Sequence, residues 1–142
     1  MNGIPALSIR QPWAELIISG RKTMELRLWT TDYRGLLWVH SGLKGDLELE
    51  RAFSFAELFK GGYIGSAFLS GVIPLDQEDW EFYRSKHLDS SYYHPGYYGW
   101  FLESPYRFTM PIPGPGKLGL YYPPTELEEL LKKANKLKTN TP

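Results

Sequence analysis

The spacing of the hydrophobic residues changes near the start of the chain. Residues 6–9 form a short apolar run, which is typical of a β-strand. After Pro12, apolar residues recur at positions 13, 16 and 17, which is the i, i+3, i+4 spacing of one helix face. Proline is tolerated in the first turn of a helix, and Gly20 can take the left-handed conformation that often ends one. The pattern therefore predicts a strand followed by a short helix that closes at Gly20.

Residues 23–28 alternate instead with the period of two that is typical of a strand. The alternation separates Met24, Leu26 and Leu28 on one side from Thr23, Glu25 and Arg27 on the other. We expect the apolar side to face the core and the polar side to face a cleft. The next apolar run, residues 36–41, predicts another strand, in which Leu37 and Val39 are expected to be buried together with Met24 and Leu26.

The remaining segments predict a mixture of short strands and helices. A long β-branched run over residues 63–75 is typical of a central strand and is expected to pair with strand 36–41. Further strands are expected at residues 99–102, 106–109 and 118–121, and helical segments within residues 46–59, at 76–86 and from Thr125. The prolines between Pro105 and Pro124 favour sheet edges and turns. Short strands with two or three flanking helices indicate an α+β domain built on a small barrel.

Composition and charge restrict the classes of function. The chain has 142 residues, of which 42% are hydrophobic and 15% aromatic, so it can build a core as one domain. Sixteen basic and sixteen acidic residues cancel, so any nucleic-acid binding must come from a local patch. The absence of cysteine excludes disulfides, thiolate metal sites and a cysteine nucleophile. With no signal peptide and no apolar stretch long enough for a membrane span, we expect a cytoplasmic protein without membrane contact.

Two blocks near the start of the chain resemble a known signature. They read SIRQPWA from Ser8 and GRKTMELR from Gly20, and the second fits G-x-K-x-x-E-x-R, the heart of the ASCH domain signature. Residues 36–41, 65–75, 98–103 and 116–120 are similar to the later strands of that family, so the resemblance extends to about residue 130. It implies a PUA-like β-barrel over residues 1–130, followed in 131–142 by the end of the C-terminal helix and a lysine-rich tail. It also implies a cleft for RNA or a nucleotide-like ligand, with a role in RNA-linked metabolism.

Eight residues are candidates for that cleft. They are Arg10, Gln11, Trp13, Lys22, Glu25, Arg27, His40 and Trp100. Lysine and arginine on one strand face can hold a phosphate or a carbonyl, and a tryptophan can stack on a base. Free N–H groups at a helix start also favour an anion. The alternatives are a solvated salt-bridged face for the charged residues, a core position for Trp13 and a structural role for His40.

The resemblance leaves two enzymatic alternatives open. Some family members are bacterial amidohydrolases that deacetylate acetylated cytidine with a lysine, a threonine and a glutamate. Lys22 matches their lysine, but Glu25 stands where they carry threonine, and Glu78 is only a positional candidate for their glutamate. A ribonuclease is the other alternative, for which His40 and Glu25 could serve as base and acid. Lys22 and Glu25 are thus the candidate catalytic residues, while ligand binding is the favoured function.

Other chemistry has little support in the sequence. The histidines His40, His87 and His94 do not have zinc-ligand spacing, and no phosphate-loop motif occurs, so we expect no metal and no cofactor. The aromatic cluster at residues 92–98 fits either a base-stacking surface or a loop that packs over the barrel. Nothing in the sequence indicates a protein partner.

Overall fold

A computed structural model describes residues 3–136. In this part of the chain the fold combines one six-stranded sheet with five helices. The strands are β1 (Ala6–Gln11), β2 (Met24–Arg27), β3 (Gly35–Gly45), β4 (Gly62–Pro74), β5 (Tyr98–Pro113) and β6 (Leu120–Tyr121). The helices are α1 (Trp13–Ile18), α2 (Leu47–Ala52), α3 (Gln77–Phe82), α4 (Arg84–His87) and α5 (Thr125–Lys136). None of these helices has the length and apolar character needed to cross a membrane.

The sheet is mixed and curled. Its strand order is β2-β5-β4-β3-β1-β6, in which β1 runs parallel to β3 and every other neighbouring pair is antiparallel. Helix α1 contacts all of β1 to β5, so the sheet wraps around it. The main hydrophobic cluster lies between that helix and the concave side of the sheet. The predicted α+β class and barrel-like sheet are confirmed, although residues 3–136 contain five helices where two or three were expected.

Strand β2 is covered on both sides. Met24 is fully buried against Leu75 and Trp80, as expected, whereas Leu26 is only half-buried. Glu25 is paired in register with Trp100, so the two side chains project from the same side of the sheet. The polar side of β2 therefore faces the interior of the curl and not open solvent.

The pairing of β3 with β4 was predicted correctly. Trp38 is in register with Ser66 in an antiparallel ladder, and both Leu37 and Val39 are buried. The pattern also placed β1, α1 and the left-handed residue Gly20, whose φ is +84°. Local sequence was sufficient to place these elements, although not to pair them, because each element carries its own hydrophobic period.

Two predicted boundaries differ from the structure. The expected helix over residues 76–86 is divided at Tyr83 into α3 and α4. The two strands expected at 99–102 and 106–109 form one 16-residue strand, β5, in the interior of the sheet. The register with β4 shifts beside Ser104 and Pro105, so the proline, which has no N–H to donate, sits at an irregularity of the ladder.

Helix α5 begins at Thr125, as the sequence indicates, and continues to Lys136. It is held against the sheet by buried Leu131 and by a hydrogen bond from the Ser66 hydroxyl to Oδ1 of Asn135, at 2.7 Å. The expected domain end at residue 130 thus falls inside a packed helix and stays a prediction. Residues 137–142 of the expected tail lie outside the described residues.

Candidate functional site

A buried carboxylate joins the two cations of the signature. Oε1 of Glu25 lies 3.7 Å from Nζ of Lys22, and its Oε2 lies 2.9 Å from Nη2 of Arg27. The Nε atom of Arg27 also donates a hydrogen bond to Oε2, at 3.0 Å. The structure therefore brings together the three charged residues that the sequence singled out. One negative charge is shared between two positive ones, which leaves the group with a net positive charge.

Lys22 is almost completely buried, with 2% of its surface exposed. Its Nζ donates to the carbonyl of His87 at 2.6 Å and lies 4.6 Å from the ring centre of Trp13. Burial lowers the pKa of Lys22 because it removes water from the ammonium, whereas Glu25 and Asp89 oppose that change. The side chain is thus held by protein groups and has little contact with solvent.

Arg27 reaches across the opening of the curled sheet. Its Nη2 donates to the backbone carbonyl of Ser8 in β1, at 3.0 Å. Strands β2 and β1 are separated by three other strands in the sheet, so this contact joins two parts of the barrel that share no ladder. Nε and Nη2 are occupied, while Nη1 has no hydrogen-bond partner within residues 3–136. The guanidinium is thus fixed in place with a free donor edge.

Ser8 continues the network to His40. The two residues are direct partners in the parallel ladder of β1 and β3, and Oγ of Ser8 lies 2.9 Å from Nδ1 of the imidazole. Nε2 of His40 lies 2.8 Å from the carbonyl of Gly114. A carbonyl can only accept, so Nε2 carries the proton and Nδ1 accepts from the serine hydroxyl. Burial lowers the pKa of His40, which keeps the ring neutral near pH 7.

Ser8, Arg27 and His40 line a cavity of about 730 Å³ between β1, β3 and the segment that follows β5. We call it the cationic cavity. Its walls are formed by Ser8, Arg10, Arg27, His40, residues 42–44, Gly61 and residues 114–119. In the part of the chain that the structure describes, four cationic residues line it, namely Arg10, Arg27, Lys44 and Lys117, and no carboxylate does. Its charge therefore suits an anionic ligand.

Three of the four cations have no internal partner. The side chains of Arg10, Lys44 and Lys117 form neither an ion pair nor a hydrogen bond with any other part of residues 3–136, in contrast to that of Arg27. Like charges gathered around one space repel each other unless a counter-charge enters it. The arrangement is therefore one that an anion would stabilise.

The wall at residues 114–119 depends on a glycine. A Cβ atom at Gly116 would lie 2.6 Å from Cε1 of His40 and 2.9 Å from Oγ of Ser8, closer than real Cβ contacts come. Only a residue without a side chain lets this segment approach the Ser8–His40 pair so closely. The glycine thus sets the distance between Lys117 and the opposite wall.

Other predicted site residues have structural contacts. Gln11 is buried, where its Nε2 donates to the carbonyl of Phe59 and its Oε1 accepts from the Glu15 N–H. The Gln11 side chain thus accepts a hydrogen bond from an N–H group at the start of α1 that was expected to attract an anion. Trp100 is fully buried and its ring lies edge-on to Trp29, so it presents no free face for base stacking.

Trp13 is half-buried. The Trp13 ring has the ammonium of Lys22 as one neighbour. It also makes an edge-on contact with the ring of Phe53, with 5.8 Å between the ring centres. Trp13 does not line the cationic cavity. Lys22 lines a second cavity, of about 540 Å³, with Thr23 and Lys86. The structure therefore places Lys22 and Arg27 at different cavities, where one common cleft was expected.

The aromatic cluster at residues 92–98 packs on a buried tryptophan. The rings of Tyr93 and Tyr97 lie 6.0 and 5.7 Å from that of Trp80, and the Tyr93 hydroxyl donates to the carbonyl of Leu75. Tyr92 is 89% exposed. These contacts support the loop-packing interpretation for the two inner tyrosines.

Sequence reasoning did not select Ser8, Lys44 or Lys117 for the site. A signal was present, because Lys44 lies two residues after Gly42 and Lys117 directly follows Gly116. Glycine beside a lysine gives the backbone room to approach a ligand. That signal is weak in one sequence, since it does not show which two segments meet.

The fold and the signature residues define the family. The family model of the ASCH domain matches residues 7–111, well over half of the chain. The chain therefore belongs to the ASCH domain family. The matched range includes the hydrogen-bonded residues Ser8, Lys22, Glu25, Arg27 and His40, but it ends before Lys117.

Two curated relatives share a short segment with the chain. Human activating signal cointegrator 1 is 47% identical over 38 residues, and the mouse protein of the same name is 52% identical over 33 residues. These segments are 27% and 23% of this chain but only 6% of each relative. The chain thus matches a small part of much longer proteins.

Solved structures of similar fold come from Zymomonas mobilis. ASCH from that organism superposes with a TM-score of 0.64 at 17% identity, covering 91% of this chain and 92% of the other. A point mutant of the same protein, ZmASCH, gives a TM-score of 0.65 at 17% identity, covering 91% and 96%. At this level of identity the likeness establishes the fold.

Proposed function

We propose that this ASCH domain binds RNA or a nucleotide-like ligand through its phosphate groups, in the cationic cavity. The observation that supports this most strongly is the set of three unpaired cations, Arg10, Lys44 and Lys117, around a space that no carboxylate of residues 3–136 lines. Phosphate contacts from lysine and arginine supply most of the affinity of such complexes. A cytoplasmic location and a role in RNA-linked metabolism are parts of the same proposal.

Arg27 is the best-positioned of the four cations. Glu25 and the Ser8 carbonyl hold its Nε and Nη2, so little side-chain entropy is lost when Nη1 meets a phosphate oxygen. The other three cations are exposed, so they attract an anion over a longer distance. One fixed cation and three exposed ones suit a ligand that is first attracted and then oriented.

A titration with a fluorescein-labelled RNA octamer tests the proposal. We expect Lys44→Glu/Lys117→Glu to weaken binding by at least about tenfold at 50 mM salt and to reduce the salt dependence by about one unit of slope per lysine. Lys133→Glu changes the charge of an exposed residue of α5 outside the cavity lining, and it is the control. Nucleotides that stabilise the protein against heat would support the same site.

Two results would contradict the proposal. The first is an octamer and a nucleotide series that bind the wild-type chain no better than they bind an unrelated protein of equal charge. The second is a double variant that binds as tightly as wild type, because the ligand would then lie outside the cationic cavity.

The amidohydrolase alternative has one favourable observation. Burial lowers the pKa of Lys22, which a lysine base would require. The rest of the arrangement is less suitable, because Glu25 replaces the threonine of that mechanism and opposes the loss of the ammonium proton. Glu78, the positional candidate for the third residue, is exposed on α3. Binding therefore stays the preferred function.

The ribonuclease alternative depends on His40 and Glu25. Both ring nitrogens of His40 are engaged, one by the Ser8 hydroxyl and one by the Gly114 carbonyl. Glu25 is buried between Lys22 and Arg27 and does not line the cationic cavity. Neither residue is free to take or give a proton at a bound phosphodiester.

A further inference from the structure

We infer that the cationic cavity selects a phosphate group with two or more negative charges, the terminal phosphate of a nucleotide or of a phosphorylated RNA end, over the internal phosphodiesters of a continuous strand. This inference rests on the proposed function and names the chemical class of its ligand. It follows from the size of the cavity, its charge and the donors on its walls.

Size limits how much of a ligand the cavity can enclose. A volume of about 730 Å³ is within the range of pockets that enclose one small molecule of drug size, roughly 300–1,000 Å³. A nucleotide is a molecule of that size, whereas a strand of several nucleotides would extend beyond the walls. The cations thus act together on the phosphate groups of about one nucleotide.

Charge then distinguishes the kinds of phosphate. An internal phosphodiester brings one negative charge into that space, which leaves most of the four lining cations uncompensated. A terminal phosphate carries about −1.5 to −2 at pH 7, and a diphosphate carries more. Glu25 does not remove the excess, because its single charge is shared by Arg27 and Lys22. The doubly charged group is therefore the better electrostatic match.

The backbone adds donors that a terminal phosphate can use. The N–H groups of Gly116, Lys117 and Leu118 make no hydrogen bond within residues 3–136, and all three residues are exposed at the cavity wall. A terminal phosphate offers three strong acceptor oxygens, one more than an internal phosphodiester. Unpaired N–H groups on a glycine-containing segment, together with a lysine, are a recurrent way to bind such oxygens.

The walls contain little that could read a base. Among residues 3–136, no asparagine, glutamine, aspartate or glutamate lines the cavity, and the side-chain hydroxyl of Ser8 is already donated to His40. Asparagine and glutamine are the side chains that usually read adenine, and aspartate and glutamate those that accept from cytosine. The phosphate is therefore expected to determine affinity, with little difference between adenine and uracil ligands.

Calorimetric titration with small ligands tests the charge requirement. Adenosine 5′-monophosphate and 3′,5′-cyclic adenosine monophosphate share a base and a sugar, but the cyclic diester carries a single charge. We expect the 5′-monophosphate to bind about tenfold more tightly than the cyclic diester and adenosine to bind more weakly still. Adenosine and uridine diphosphates should bind within about threefold of each other, because the base is not read.

A matched pair of RNA octamers separates the two sources of a terminal phosphate. One carries a 5′-phosphate and the other a 5′-hydroxyl. If the phosphorylated octamer binds about tenfold more tightly, the site accepts an RNA end. If only the nucleotides show the preference, the ligand is a free nucleotide. Lys44→Met/Lys117→Met should remove the preference in either case, while Lys133→Met, which lies outside the lining, should leave it unchanged.

The failures of the two proposals are distinguishable. If the two octamers bind equally well, and the monophosphate binds no better than its cyclic diester, the selection for a terminal phosphate is wrong although the RNA-binding function survives. If neither RNA nor any nucleotide binds, the proposed function itself is wrong.

Discussion

The guanidinium of Arg27 donates to the backbone carbonyl of Ser8 at 3.0 Å, across strands that share no ladder. This hydrogen bond links the short edge strand β2 to β1, and the hydroxyl of the same serine continues to His40. The residue that we expect to hold the ligand is thus also a residue that holds the curled sheet together.

Arg27→Met should therefore destabilise the fold. The change leaves Glu25 buried with only Lys22 as a cation, at 3.7 Å. Loss of one partner of a buried ion pair costs about 3–5 kcal/mol, and we expect a value near the lower end because Lys22 remains. Urea unfolding of both proteins gives the difference in free energy. A cost below about 1 kcal/mol, typical of an exposed ion pair, would show that the bridge contributes little.

The two apolar residues of β2 should differ in their contribution to stability. Met24 is fully buried, so Met24→Ala is expected to cost about 2–5 kcal/mol. Leu26 is half-buried, so Leu26→Ala should cost less than Met24→Ala, although alternation alone predicts equal burial for both. Thermal or urea unfolding of the two variants measures the order. The reverse order would mean that the faces of β2 are assigned incorrectly.

Stability should fall as the pH is lowered below about 6.5, the ordinary pKa of histidine. Burial lowers the pKa values of His40 and His87 in the folded chain, so the unfolded chain binds more protons in this range. For each histidine that stays neutral in the folded chain, the free energy of unfolding decreases by about 1.4 kcal/mol for every unit by which the pH is lowered in this range. The pKa values of Asp89 and Glu81 are also lowered, but these groups affect stability only at pH values below their ordinary pKa values of 3.8 and 4.5.

Urea midpoints at pH 7.5, 6.0 and 5.0 measure this dependence. His40→Gln should reduce it, since the variant has one fewer group that must stay neutral. His94→Gln is the control, because His94 is exposed. A stability that is unchanged between pH 7.5 and 5.0 would show that the histidines are as accessible to protons in the folded chain as in the unfolded one.

Lys22→Arg separates binding from catalysis. Arginine stays protonated at ordinary pH, so it can keep the charge but cannot act as a base. We expect no release of cytidine from acetylated cytidine by the wild-type chain, because Glu25 occupies the position of the threonine in the amidohydrolases. RNA affinity should change little in the variant, because Lys22 does not line the cationic cavity. Wild-type turnover that disappears in a folded Lys22→Arg protein would instead identify the domain as an enzyme.

The sequence by itself determined the family, the class of fold and most of the strands. Residues 6–9, 36–41 and 63–75 each carry a local hydrophobic pattern that requires no knowledge of the rest of the chain, and each is a strand in the structure. The Lys22–Glu25–Arg27 set was also predictable, because Glu25 and Arg27 are two residues apart on one face of a strand and Lys22 lies in the loop just before it.

Only the tertiary structure decided which of the candidates share a cavity. Arg10, Lys44 and Lys117 lie on three distant segments that meet because β1 pairs with β3 and a glycine lets residues 114–119 approach His40. The same packing buried Trp100, which the sequence had placed at the cleft. Periodicity shows which side of a strand is apolar, but it does not show which distant strand lies opposite. That choice depends on the packing of the whole core, because side chains far apart in sequence must fill one common space.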